Sequence, residues 1–237
     1  MPDAVVCLPT YNERENLERM VEALAPLGVR VLVIDDNSPD GTGELADRLA
    51  AERDWLSVLH RPRKEGLGPA YLAGFREALR GGAEYVLEMD CDFSHDPADV
   101  PRLIEACAAG ADVALGSRYV AGGGTANWGL GRRLVSAGGS LYARLVLGVA
   151  VRDLTGGFKC FRREALERVG LDAIRSRGYA FQIELTYRAL RAGCRVVEVP
   201  ILFTDRTAGQ SKMSRRILLE AVLRVPALRL AALARRL

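Results

Sequence analysis

Long apolar runs are missing from this chain of 237 residues, and so is most of the side-chain chemistry that builds metal cages and disulfide frameworks. Only two histidines occur, His60 and His95, and the five cysteines (Cys7, Cys91, Cys107, Cys160, Cys194) are scattered, odd in number and without any Cys-x-x-Cys pairing. A zinc finger and a disulfide scaffold are thereby excluded, and a reducing cytosol is expected. No Gly-x-Gly-x-x-Gly follows the first apolar run and no Walker lysine motif is present, which disfavours a dinucleotide fold and a P-loop enzyme. The formal net charge of +3 is small and its basic residues are spread along the chain, so no nucleic-acid partner is expected. The first residues, Met1-Pro2-Asp3, lead straight into a strand pattern with no signal-peptide pattern, giving the expectation of a cytoplasmic protein.

What is present is a regular alternation of short apolar runs and helical patterns. Ala4 to Leu8, Val29 to Asp35, Leu56 to His60, Glu84 to Asp90 and Asp112 to Gly116 read as strands. Glu13 to Leu24, Thr42 to Ala51, Gly68 to Leu79 and Ala98 to Ala108 read as the helices between them. This order predicts a mostly parallel sheet covered by helices on both faces, an α/β domain for which the chain length suffices. After a glycine loop at Gly122 to Gly124, the spacing predicts a helix over Arg132 to Gly148. A turn at Asp153 to Phe158, a short strand through Phe161, a helix over Ala180 to Ala192 and a strand over Arg195 to Val199 follow. Asp153 either orients a ligand or caps the Thr155 turn, and the cap is the preferred reading.

Polar clusters stand just beyond the strand ends: Pro9-Thr10-Tyr11-Asn12-Glu13, Asp35-Asp36-Asn37, Asp90-Cys91-Asp92 and Gly116-Ser117-Arg118. The carboxyl edge of an open parallel sheet is where such folds bind ligands. Ser38, Asp40 and Asp96 are expected to do no more than build turns and caps there. Residues two apart on extended backbone point the same way, so Asp90 and Asp92 can both face one divalent cation, Mg²⁺ or Mn²⁺. Residues 215–237 interleave apolar side chains with six arginines and hold no charge-free stretch near the ~20 residues of a spanning helix. They read as a basic amphipathic helix, broken or kinked at Pro226, that lies on a membrane surface or packs on protein.

Taken in order, Pro9 to Glu13, Asp35 to Thr42, Met89 to His95, Gly116 to Tyr119 and Asp153 to Phe158 closely resemble the inverting GT-A glycosyltransferases of family 2, and within them the dolichyl- or polyprenyl-phosphate mannosyltransferases. The resemblance covers residues 4–214 and implies a GT-A domain over 1–214; residues 215–237 stand beyond it as the basic amphipathic helix, for membrane-surface or partner docking. It implies a GDP-mannose donor, a polyprenyl or dolichyl monophosphate acceptor and a lipid-linked β-mannosyl phosphate product. By the same resemblance Pro9, Tyr11, Glu13, Ile34 and Asp36 hold the nucleoside, and Asp90, Cys91 and Asp92 form the Asp-x-Asp segment. Arg118, Arg206 and Lys212 lie around the phosphates. Ser94 stands where some relatives place a glutamine ligand, which puts its own role as a ligand in doubt.

The chemistry asks for these residue types. A nucleoside diphosphate leaves with added negative charge that a carboxylate-held cation and nearby guanidinium groups can offset. Asp92, Arg118 and Arg133, from the Arg132/Arg133 pair, are the catalytic candidates, and Thr204 to Lys212 is expected to close over the diphosphate. An acceptor phosphate with a second pKa near ~6 is already nucleophilic, so no catalytic histidine is required. The expected setting is the cytoplasmic face of a membrane, with an integral membrane partner protein compatible with the missing span. Competing readings are a glucosyltransferase that uses UDP-glucose and a non-catalytic nucleotide-sugar-binding subunit of a membrane complex. A sugar-phosphate nucleotidylyltransferase fits less well, because its glycine- and basic-rich first loop is replaced by Pro9 to Glu13.

Overall fold

The computed structural model describes residues 3–205 and 215–234. The N-terminal half alternates as the apolar pattern requires: β1 (Ala4–Thr10), α1 (Arg14–Leu24), β2 (Arg30–Asp35), α2 (Thr42–Ala51), β3 (Leu56–His60), α3 (Leu67–Arg80), β4 (Tyr85–Glu88), α4 (Val100–Ala108) and β5 (Val113–Ser117). The second half contains β6 (Gly124–Ala126), α5 (Leu130–Leu147), β7 (Lys159–Arg162), α6 (Arg163–Val169), α7 (Tyr179–Arg191), β8 (Val196–Pro200), β9 (Leu202–Thr204) and α8 (Arg215–Leu233).

Seven strands form one sheet in the order β3-β2-β1-β4-β7-β5-β8. All neighbours are parallel except β7, which runs antiparallel to both β4 and β5. Side chains alternate across the sheet as strand geometry demands. Val6, Leu8, Val31 and Val33 pack with Leu17, Met20, Leu45 and Leu103 of α1, α2 and α4. Val5, Cys7, Leu32 and Ile34 face the other way, onto Tyr71 and Phe75 of α3, Leu166 of α6 and Phe181 of α7. Both faces are therefore covered, which is why these strands read as continuous apolar runs.

A third core joins Ala143 and Leu147 of α5, Ile183 and Tyr187 of α7, and Val225, Leu228 and Ala232 of α8. The last helix is thus seated on the domain. Two of its arginines turn inward: Arg224 reaches the buried Glu184 at 3.3 Å, and Arg229 donates to the Leu147 carbonyl at 3.0 Å.

Three features depart from the sequence expectation. Gly124 of the expected glycine loop opens β6, which pairs with β9 in a small two-stranded sheet. Helix α6 was not anticipated, because its seven residues are too few to show a helical period. Helix α8 runs unbroken through Pro226. Proline removes the amide that would bond the carbonyl four residues earlier, and that carbonyl, on Val222, instead accepts the Tyr142 hydroxyl of α5 at 2.8 Å.

Candidate active site

The carboxyl ends of β1, β2, β4 and β5 deliver the polar clusters to one edge of the sheet. Register fixes the first two: Pro9 lies beside Ile34 and Thr10 beside Asp35. Asp35 spends its carboxylate on the turn, accepting from Thr10 Oγ1 at 3.1 Å, Ser38 N at 3.0 Å and Ser38 Oγ at 2.6 Å. Asp36 is instead paired with Arg61, and burial nevertheless holds its carboxyl above the usual carboxylate range. Glu13 donates its amide to Thr42 Oγ1 and accepts from Asn16 Nδ2 at 2.9 Å. The Lys64 ammonium lies 3.8 Å from the centre of the Tyr11 ring. Asp40 and Asp96 cap turns as expected, accepting from Thr42 N and Ala98 N.

Asn12, Asn37 and Phe93, one on each of the loops after β1, β2 and β4, have φ of 58°, 57° and 60°. Asparagine tolerates this region, whereas for phenylalanine it costs on the order of 1–2 kcal/mol. The strain at Phe93 is spent turning the chain between Asp92 and Ser94.

Around that turn Asp90, Asp92 and His95 are each held by a named partner. The buried Tyr71 of α3 donates its hydroxyl to Asp90 Oδ1 at 3.1 Å, and Ser94 N donates to Asp92 Oδ1 at 3.1 Å. Burial, then Asp90, pushes the Tyr71 hydroxyl well up, so it stays a donor. Burial also raises the Cys91 thiol, which keeps it protonated beside the two carboxylates. His95 Nδ1 accepts the Asp90 amide at 3.2 Å, and burial pushes this imidazole down to about 4. His95 is therefore a neutral brace at neutral pH, with its proton on Nε2.

Asp90 and Asp92 offer hard oxygen ligands, and the buried Ser94 Oγ has no hydrogen-bond partner among the described residues. Among those residues no group of three His, Cys, Asp or Glu side chains converges on one point. Two carboxylates with an unspent hydroxyl beside them fit Mg²⁺ or Mn²⁺, whose remaining positions are ordinarily filled by substrate oxygens and water.

The basic side of the site is more fully paired than the sequence suggests. Asp153 accepts from Arg118 Nε at 2.8 Å, Nη2 at 2.7 Å and the Arg118 amide at 2.9 Å. The expected cap on Thr155 is only a 3.4 Å contact, because a buried guanidinium takes precedence over a turn hydroxyl. Arg132 bonds Asp205 at 2.6 Å, while the more exposed Arg133 reaches the Thr125 carbonyl at 3.2 Å. Arg206 and Lys212, with most of the expected closing segment, lie outside the described residues.

Sequence reasoning missed the second layer altogether. Beneath the Asp90 turn, Lys159 of β7 bonds Glu88 of β4 at 2.5 Å, the Gly156 carbonyl at 2.7 Å and Gln182 of α7, all out of contact with solvent. An aromatic column runs from Phe158 to His95 at 4.9 Å, on to Phe203 at 5.2 Å and then to Trp128 at 5.3 Å. The signal that was available was Glu88, a carboxylate inside an otherwise apolar strand.

A mixed sheet with its polar loops on one edge and an Asp-x-Asp turn after β4 defines a GT-A nucleotide-sugar transferase. The chain belongs to glycosyl transferase family 2, whose family model matches residues 5–170. It is 51% identical over 224 residues to polyprenol monophosphomannose synthase of Mycolicibacterium smegmatis, covering 93% of this chain and 84% of that one. It is 49% identical over 227 residues to undecaprenyl-phosphate mannosyltransferase of Micrococcus luteus, covering 95% and 93%. Dolichol-phosphate mannosyltransferase of Pyrococcus furiosus is 39% identical over 221 residues, 91% of this chain and 60% of that one. In fold, a mannosyltransferase of Pyrobaculum calidifontis solved with GDP-Man and Mn²⁺ matches with a TM-score of 0.61 at 17% identity, over 99% of this chain and 66% of that one.

Proposed function

We propose that this chain transfers mannose from GDP-mannose to a polyprenyl monophosphate with inversion, releasing GDP and leaving a polyprenyl β-mannosyl phosphate. The observation that carries the proposal is the Asp90–Asp92 turn, braced by Tyr71 and His95, in a chain about half identical to two proteins named for making mannosyl phosphate lipids. A phosphate oxygen of the acceptor bonds to the anomeric carbon as the bond from that carbon to the diphosphate breaks, its electron pair leaving with GDP. The acceptor phosphate is ionised at neutral pH, so no protein base takes a proton. This agrees with a buried, neutral His95 that serves the backbone.

In this reading Pro9, Tyr11, Glu13, Ile34 and Asp36 frame the nucleoside, and Asp90 and Asp92 hold Mg²⁺ or Mn²⁺. The ion, when bound, supplies charge neutralisation for the diphosphate leaving group. Arg118 and the Arg132/Arg133 pair line the acceptor side, with Arg206 and Lys212 assigned to the phosphates by resemblance. Because Arg118 is locked by Asp153, it acts as a fixed element of the site's field.

The acceptor's lipid tail calls for an apolar approach. Leu130, Leu134, Leu141 and Leu145 of α5 are exposed, as are Leu223, Leu230 and Leu233 of α8. Among the described residues no helix is long and apolar enough to cross a membrane. Exposed apolar side chains on two helices that share a core fit a surface lying against a bilayer. We assign docking to this pair of helices and place the protein on the cytoplasmic face.

The decisive assay offers labelled GDP-mannose or UDP-glucose with a polyprenyl phosphate. Mannolipid formation that is lost with chelator and with Asp92→Asn is expected; transfer from UDP-glucose alone, or full activity after either treatment, overturns the assignment.

A further inference from the structure

A buried charge pair stands where β4 gives way to the Asp90 turn. Glu88 and Lys159 face each other across the antiparallel pairing of β4 with β7, and neither touches solvent. An ammonium has three protons to place, and Lys159 Nζ meets three acceptors: Glu88 Oε1 at 2.5 Å, the Gly156 carbonyl at 2.7 Å and Gln182 Oε1. Gln182 Nε2 in turn donates to Glu88 Oε2 at 3.2 Å, so both carboxylate oxygens are engaged. A buried polar network whose members are all satisfied is rigid.

Stability does not account for this arrangement. Apolar side chains of similar volume in place of a buried ion pair often leave a protein as stable or more so. What the pair does that apolar residues could not is join two separate turns of the site. Glu88 ends β4 two residues before Asp90. Gly156 belongs to the same turn as Asp153, whose carboxylate holds Arg118 by Nε, Nη2 and the amide. Glu198 of β8 also grips this turn, accepting from the Asp153 amide at 2.9 Å. The turn has little slack: a Cβ on Gly156 would stand 3.2 Å from the Gly116 carbonyl oxygen, and one on Gly157 would stand 3.2 Å from Gln182 Nε2.

We propose that Lys159 is a positioning residue for the transfer: by tying the Gly156 carbonyl to Glu88 and Gln182, it fixes the distance between the Asp90–Asp92 turn and the Arg118–Asp153 pair. The inference rests on the transferase reading above, in which the first of these holds the ion of the leaving group and the second lines the acceptor side. Donor and acceptor must meet at a set separation, and a misplacement of about 1 Å costs about 100-fold in rate. Being wholly buried, Lys159 touches neither substrate and acts through the two turns it joins.

The test removes the tether from the full chain and keeps the fold. In Glu88→Gln/Lys159→Met both charges go together, and the side-chain amides at positions 88 and 182 can bond each other, so only the Gly156 carbonyl loses its partner. Tm should stay within about 5 °C of that of the unaltered protein. With farnesyl phosphate as acceptor, kcat should fall about 100-fold, while the KM for GDP-mannose and the half-activating Mg²⁺ concentration move less than about threefold. Gly156→Ala displaces the same turn from the side of the Gly116 carbonyl with Lys159 unaltered, and should give the same split between kcat and KM. It decides alone if the double variant does not fold. A kcat within about threefold of the unaltered enzyme in either variant that folds, or a donor KM that rises as far as kcat falls, overturns the proposal.

A second readout needs no turnover. In protein carrying isotope-labelled arginine, the Nε–H resonance of Arg118 is assigned by its loss in Arg118→Lys. Mn²⁺ at the Asp90–Asp92 turn broadens that resonance to a degree set by their separation. With GDP and saturating Mn²⁺, weaker broadening in the double variant is expected, and equal broadening overturns the proposal. If the unaltered chain makes no mannolipid, the transferase reading fails, and the Mn²⁺ broadening still decides whether Lys159 sets this distance.

Discussion

Tyr71→Phe isolates one hydrogen bond behind the Asp-x-Asp turn. The ring of Tyr71 stacks between Phe75 at 5.8 Å and Phe181 at 6.1 Å, contacts that phenylalanine keeps. What is lost is the 3.1 Å bond to Asp90 Oδ1, made by a hydroxyl wholly inside the protein. A bond to a charged acceptor contributes about 1.5–3 kcal/mol, and at this chain length about 2 kcal/mol lowers Tm by about 4–8 °C. The functional cost falls on metal binding: losing a group that orients a ligand weakens affinity about 10–100-fold. Activity is to be measured against free Mg²⁺ in a metal buffer. The expected result is a half-activating concentration raised at least about tenfold, with kcat at saturating metal within about twofold of the unaltered enzyme. A lowered Tm with an unmoved activation curve would refute the reasoning, since Asp90 would then be a structural carboxylate only.

Asp153→Asn removes one partner of the buried Arg118 pair and should cost about 3–5 kcal/mol in urea unfolding, with Arg118→Met/Asp153→Leu recovering most of it. A loss below about 1 kcal/mol in the single variant would show that Arg118 finds its main compensation elsewhere. His95 gives a pH signature. Burial lowers its folded pKa to about 4, against an unfolded value near ~6.5, so the unfolded chain binds more protons between these limits. The stability tied to this group is complete above about pH 6.5 and is lost as pH falls toward about 4, on the order of 3 kcal/mol in all. Urea midpoints followed from pH 7 to pH 4.5 should fall more steeply for the unaltered protein than for His95→Asn; parallel curves would rule out a neutral buried imidazole.

The nine strands and helices of the N-terminal half lay open in the sequence, because each buries a run or stripe whose period declares it. The polar loops after β1, β2, β4 and β5 were placed on one edge by the same logic, since parallel strands end on the same side, whereas the register that sets Pro9 beside Ile34 is seen only in the structure. What the sequence hid are contacts between distant positions that look ordinary on their own. Nothing in the sequence singles out Tyr71 or Lys159, yet one donates to Asp90 and the other is fully buried against Glu88 and Gln182. Short β6 and β9 carry no period to detect, although they bring Phe203 to His95 and Thr204 N to the Ser94 carbonyl at 3.2 Å. Charge pairing was hidden for a related reason: Arg118 and Arg132 stand in the sequence as candidate cations near the phosphates, and in space they also meet Asp153 and Asp205.

The reversed direction of β7 has an architectural consequence. A strand that starts at the catalytic edge lets the chain leave that edge after β5, wander through β6 and α5, and return to it before entering the sheet again. The excursion, residues 119–152, is fastened at its two feet by the Arg118–Asp153 bond. The sheet closes beneath it by the pairing of β5 with β7, so in topology the stretch is an insertion, held to the rest by the β6–β9 pairing and the third core. The stretch to which we assign lipid docking can thus vary in length without moving the loops after β1, β2 and β4.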